Sequence, residues 1–129
     1  MPDPAAIRAT VEQYLERFNA VDRASWLELF NPDATMEDPV GTSVRHGHDE
    51  IGAFFEQSHG LADTLRIVRT GPVRVAAGEC AFPMQARPTM AGTEFVVDII
   101  DVMTFDDDAR ITSMRAFWDA AEMRPADSD

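Results

Sequence analysis

With 129 residues, 45% of them hydrophobic and 26% charged, the chain has the make-up of one soluble globular domain with a single substantial core. Its formal net charge of −12 is scattered rather than blocked, which argues against nucleic acid and anionic membranes as partners. No apolar run reaches the roughly 18 residues of a membrane span. The opening Met-Pro-Asp-Pro carries no leader signal and the single cysteine, Cys80, excludes an intrachain disulfide framework, so a cytoplasmic location is expected.

Asp3 followed by Pro4 marks a helix start, a capping carboxylate and then proline where a missing amide proton costs nothing. Ile7, Val11, Tyr14, Leu15 and Phe18 recur at helical spacing behind it and form one apolar face. Asp22 caps a second, shorter helix ending near Phe30, and Asn31-Pro32-Asp33 reads as a turn. Ala34 to Asp38 is a short strand ended by Pro39, with Met36 and Asp38 on its inner face. A third helix is predicted from about Asp49 to Ser58, turning Ile51, Phe54 and Phe55 inward, with Gly60 as its stop.

From Thr64 to about Trp118 the chain is mostly strand, with Gly71-Pro72, Ala77-Gly78 and Ala91-Gly92 as turns. Pro83 and Pro88 cannot donate to a ladder, which predicts an edge or bulged strand. Phe95 to Phe105 is the most apolar run. Alternation puts Val97, Ile99, Asp101, Met103 and Phe105 on one face, and Asp98 with Ile100 on the other. Asp106 to Ala109 closes a hairpin; pairing Phe105 with Arg110 would set Asp101 opposite Met114. Beyond Arg124 a disordered tail is expected. Helices first and strands second give an α+β fold, three helices on one face of a strongly curved, mostly antiparallel sheet, able to leave an apolar cavity open at one end.

Three polar groups thus point inward from separate elements: Tyr14, Asp38 and Asp101. Each also has an ordinary explanation, namely packing for Tyr14, a turn or cap for Asp38, and a bulge that turns Asp101 outward. Asp101 is the hardest to dismiss, because an isolated buried carboxylate must be paired, hydrogen-bonded or protonated.

Val-Glu-Gln-Tyr-Leu around Tyr14 and Leu-Phe-Asn-Pro-Asp-Ala-Thr-Met-Glu-Asp-Pro-Val-Gly from Leu29 to Gly41 resemble bacterial ketosteroid isomerase. So do Asp-Ile-Ile-Asp-Val-Met-Thr-Phe from Asp98 and Ser-Met-Arg-Ala-Phe-Trp ending at Trp118. The resemblance is collinear over nearly the whole chain; the Glu-Asp-Pro-Val-Gly block is shared more loosely across the cone-shaped α+β superfamily that includes nuclear transport factor 2. It implies a single domain over residues 1–129, folded as a conical barrel, and a homodimer formed through the exposed sheet face. It also implies Δ-isomerisation of 3-oxo-Δ5-steroids, with Asp38 as general base, Tyr14 and a protonated Asp101 as oxyanion-hole donors, and Trp118 beside the base.

The chemistry calls for these residue types. A base moves a proton from the α- to the γ-carbon of an unsaturated ketone, and uncharged donors stabilise the dienolate oxygen in a site that excludes water. A small, apolar, steroid-like ligand is the expected partner, with no cofactor and no metal. Phe54, Phe55, Phe82, Met84, Ile99, Met114 and Trp118 are the expected cavity walls, although ordinary core packing accounts for each equally well. Relatives of the family carry tyrosine at the position of Phe55; with phenylalanine here, Tyr14 is expected to be oriented by Asp101 and the ligand. Two other readings stand: a same-fold enzyme acting on another enolisable or polyketide-like substrate, and a non-catalytic binding module.

Overall fold

The computed structural model describes residues 1–128. Helix α1 (Pro4–Asn19) starts as its cap dictates, with the Asp3 carboxylate accepting from Ala6 N at 2.8 Å. Its buried face is Ile7, Val11, Tyr14, Leu15 and Phe18, joined by Thr10, whose hydroxyl donates to Ala109 O at 2.8 Å. Helix α2 (Arg23–Leu27) is capped by Asp22 and stops earlier than its apolar residues predict. Leu29 O accepts from Ile111 N, and Phe30 pairs with Ile111, so a long-range ladder claims Phe30 before the helix can. Strand β1 (Phe30–Glu37) therefore includes Asn31 to Asp33, the predicted turn, which appears as an irregularity in register between Phe30 and Thr35.

Strand β2 (Arg45–His46) leads into α3 (Gly47–Gly60). Five more strands follow: β3 (Thr64–Arg69), β4 (Arg74–Ala76), β5 (Glu79–Met90), β6 (Thr93–Phe105) and β7 (Ile111–Phe117). The sheet order is β2-β1-β7-β6-β5-β3, with β4 also paired to β5; only β1 and β7 run parallel. The three helices cover one face of this curled, mostly antiparallel sheet, in the cone-like α+β arrangement predicted from the chain.

Three expectations need correction. Strand β5 is not an edge: β6 lies on one side, and β4 then β3 on the other. Pro83 is tolerated because it falls where that second side passes from Ala81, the last residue paired to β4, to Met84, the first paired to β3. The β6–β7 register also differs: Phe105 pairs with Ile111, and Asp101 lies opposite Ala116. The hairpin is one residue longer because Ala109 adopts φ 60° and the Asp106 carboxylate accepts from the amides of Asp108 and Arg110. Finally, regular elements continue past Arg124 as far as Ser128, where a tail was expected. A turn of 3-10 helix (Ala120–Glu122) leads to β8 (Arg124–Pro125), which pairs with Val96 and Phe95 of β6, and a second such turn spans Ala126–Ser128. Asp129 lies outside the described residues.

The turns Ala77-Gly78 and Ala91-Gly92 both hold positive φ at their two central residues, 51° and 75°, and 52° and 80°. That is the twist a two-residue hairpin prefers, but alanine adopts it at a steric cost. Replacing Ala91 by Asn should therefore stabilise the fold by about 0.5–1 kcal/mol in urea unfolding. An unchanged or lowered midpoint would contradict the strain assigned to this turn.

Candidate active site

Between the helices and the sheet lies a cavity of about 510 Å³, within the usual size of small-molecule sites. Alternation builds its sheet wall: Met84, Ala86, Pro88 and Met90 from β5, and Val97, Ile99 and Asp101 from β6. Tyr14 and Phe18 of α1, Asp38 and Pro39 beyond β1, and Phe54 of α3 face them. Tyr14, Asp38 and Asp101 thus line one cavity, brought together from residues 87 positions apart in the chain.

Asp101 is only 1% exposed, and its surroundings are apolar on every strand neighbour. Phe82 stands opposite it on β5 and Ala116 on β7, while Ile99 and Met103 flank it along β6. Among the described residues its Oδ2 has no hydrogen-bond partner. Burial, reinforced by the nearby charge of Asp38, pushes its carboxyl well above the ordinary carboxylate range. Both effects favour the protonated form of the carboxyl group.

Asp38 is half-buried and sits in a different field. Burial raises its pKa overall; the Trp118 Nε1–H, which donates to Oδ1 at 2.6 Å, and the Arg45 guanidinium offset that rise only in part. Tyr14 is held as a phenol: burial, then Asp101, then Asp38 push its pKa well above the usual tyrosine value. Its ring is fixed by packing, 5.7 Å from Trp26 and 6.3 Å from Phe30 between centroids. Among the described residues no hydrogen bond joins Tyr14 to Asp101. Of the expected orientation of the hydroxyl by Asp101 and the ligand, the Asp101 bond is not formed, and aromatic packing fixes the ring.

Of the expected walls, Phe54, Met84, Ile99 and Trp118 line the cavity. Phe55, Phe82 and Met114 do not, and each is corrected for a reason. Phe55 is packed behind the cavity against Trp26, Phe18 and His59. Phe82 is sealed at 1% exposure beside Asp101, so it dries the acid instead of touching a ligand. Met114 pairs with Met103 lower in the core. Asp98 points to solvent and is tied to Gln85 and Arg124, both at 3.0 Å, which hold its carboxylate below the usual range.

The lining also includes residues that were not foreseen, among them Arg45 and Met123. Arg45 reads as part of a polar loop, and Met123 follows what the alternation pattern takes as the last strand. Of the other reactive groups, Cys80 is buried with its thiol pushed up to about 12, mainly by burial, which makes it a poor nucleophile. His48 Nε2 lies 2.9 Å from Phe30 O, in contact with the backbone. Among the described residues no cluster of three or more His, Cys, Asp or Glu is arranged to hold a metal ion, and no helix is long and apolar enough to cross a membrane.

The sequence profile of the SnoaL-like domain matches residues 11–114. The chain belongs to the SnoaL-like family. This SnoaL-like chain is 38% identical over 119 residues to a steroid Δ-isomerase of Nocardioides simplex, covering 92% of the chain and 94% of the isomerase. It is 25% identical to epoxide hydrolase LasB of Streptomyces lasalocidi over 146 aligned positions, taking in 95% of the chain but 50% of the hydrolase's length. Among solved structures, SalBIII matches with a TM-score of 0.87 at 27% identity, over 97% of this chain and 99% of its own. SalBIII is an epoxide hydrolase/cyclase-like enzyme with a role in pyran ring formation in the polyether salinomycin. The family therefore holds enzymes of at least two reaction types.

A raised folded-state pKa has a consequence for stability. Below the unfolded value, near 3.8, a protonated Asp101 costs nothing. Above it the folded state must retain a proton the unfolded chain releases, so stability falls as pH rises toward the folded pKa. Asp101→Asn removes this dependence. Its stability relative to wild type should grow as pH rises above about 4 toward the folded-state pKa, by at most about 1.4 kcal/mol per pH unit. A difference in urea unfolding that stays flat across that range would show Asp101 to be ionised.

Proposed function

We propose that the protein is a steroid Δ-isomerase that brings the double bond of a 3-oxo-Δ5-steroid into conjugation, with no cofactor. One observation carries this assignment: an acid in a polar field, a second acid in an apolar one, and a phenol all line the same mostly apolar cavity. The identity to the Nocardioides simplex isomerase supports it.

In the proposed mechanism the steroid's ketone oxygen lies against Tyr14 and Asp101. Ionised Asp38 removes a proton from the carbon between the ketone and the alkene. The electron pair moves to the ketone oxygen, forming a dienolate that accepts hydrogen bonds from the Tyr14 hydroxyl and the Asp101 carboxylic acid. Protonated Asp38 then returns the proton at the γ-carbon. The oxygen regains its carbonyl form and no atom is gained or lost. Trp118 serves the first step by stabilising the Asp38 carboxylate through its indole N–H. Neither oxyanion donor carries a charge, so neither needs a counterion in the dry end of the cavity.

A second assignment has its own support in the match to an epoxide hydrolase/cyclase-like enzyme over nearly all of both chains. There Asp101 would protonate an epoxide oxygen while Asp38 deprotonates the attacking hydroxyl or water. We also assign the chain a homodimer. Its contact would be the outer sheet face, where cross-strand partners Ile100 and Phe117 are 46% and 41% exposed.

Asp38→Asn should slow the growth of conjugated-enone absorbance from a 3-oxo-Δ5-steroid by about a hundredfold or more, with the fold retained. Near-wild-type turnover would remove Asp38 as the base, and diol formation from epoxides with no enone would favour the second assignment. For the dimer, Ile100→Lys should halve the mass seen by light scattering; an unaltered mass would exclude this face.

A further inference from the structure

The cavity changes character toward solvent. Its inner end holds Tyr14 and Asp101, 3% and 1% exposed, whereas Leu61 on its outer lip is 80% exposed. Arg45 lines the cavity, its guanidinium meets Gln57 in an exposed position, and it is the sole cation among the described lining residues. Its backbone is anchored by pairing with Met36, two residues before Asp38. Its guanidinium carbon lies 5.0 Å from the centre of the Phe54 ring, a cation–π contact that holds the planar group in place.

What Arg45 lacks is a carboxylate in direct contact, although its charge is felt by Asp38. The chain has 23 acidic residues against 11 basic ones, and Arg23, Arg66, Arg69, Arg87, Arg115 and Arg124 each form an ion pair with an acid. Among the described residues Arg45 has no ion pair, and its sole hydrogen bond runs from Nη2 to Gln57 Oε1 at 3.4 Å, in an exposed position. A guanidinium offers five N–H donors in a fork that fits a carboxylate through two parallel bonds. Stacking on Phe54 uses its face and leaves most of that fork open.

We propose that Arg45 receives an acidic group on the end of the ligand remote from the ketone, so that the preferred substrates are steroid-like ketones with a carboxylate-bearing side chain. The apolar walls cannot supply this selectivity, since they treat hydrocarbon skeletons of similar shape alike. The charge balance makes the arrangement informative. A protein of net charge −12 repels an anionic ligand at long range, so without a local cation an acid would bind more weakly than its neutral ester. A cation at the mouth of the cavity reverses that order.

The proposal rests on the isomerase assignment for the ketone but not for the acid, and binding separates the two. The probes are a 3-oxo-Δ4-cholenoic acid and its methyl ester, conjugated forms that the reaction has already finished with. Calorimetric titration should show the acid binding wild type about tenfold more tightly than the ester, as for a charge-assisted pair in a half-exposed site. Arg45→Met should abolish or invert that ratio, and Arg45→Lys should keep part of it. Because each ratio compares two ligands on one protein, any effect of the substitution on folding cancels. Equal binding of acid and ester to wild type, or a preference that survives Arg45→Met, overturns the proposal. Acid preference without turnover of the Δ5 ester retains the role of Arg45 and discards the isomerase; turnover without acid preference does the reverse.

Discussion

Everything in this site depends on keeping one carboxyl group dry. Asp101 is enclosed by Phe82, Ala116, Ile99 and Met103, and that enclosure shifts it toward the protonated form. The remaining features follow from it. Asp38 sits instead at a strand end, where an indole N–H and a guanidinium partly offset the effect of its burial. Tyr14 needs only to present a phenol, and aromatic packing is enough to hold it. In a medium of low polarity each of these interactions is stronger than it would be in water, and each omission is more costly.

The local signals in the chain were readable where short-range chemistry decides the outcome. The caps at Asp3 and Asp22, the apolar face of α1 and the alternation of β6 all appear where residue spacing puts them, including the split between Asp101 inside and Asp98 outside. What escaped is set by distant partners. Phe30 leaves its helix for Ile111, 81 residues away, and Pro83 is accommodated because two neighbouring strands happen to part beside it. Alternation also gives the side of a sheet but not the depth. Phe82, Met114 and Met84 all face inward, yet only Met84 reaches the cavity. Arg45 could not be found by any hydrophobic pattern, because its place follows from the pairing of a two-residue strand.

Relatives in this family carry out unlike reactions, and the site shows how little has to change between them. A protonated acid facing an ionised one can assist carbon deprotonation or epoxide opening. The choice passes to the walls, which present Met84, Ala86, Pro88 and Met90 in regular succession from a single strand. Each is a separate lever on ligand shape that leaves the acids untouched.

Strand β6 also places a limit on how the chain can vary in length. Its odd-numbered residues from Val97 to Met103 face the core, and Asp98 and Ile100 face solvent. Inserting or deleting one residue between Thr93 and Asp101 would exchange the two sets for part of the strand, turning the acid outward or bringing an unpaired charge in. Length changes in this segment are therefore subject to a parity rule: a pair of residues keeps the faces, whereas a single one needs a bulge to restore them. Lineages of this fold should accumulate their insertions in the exposed loop of residues 41–44, where the count is free, while the spacing of the acids stays fixed.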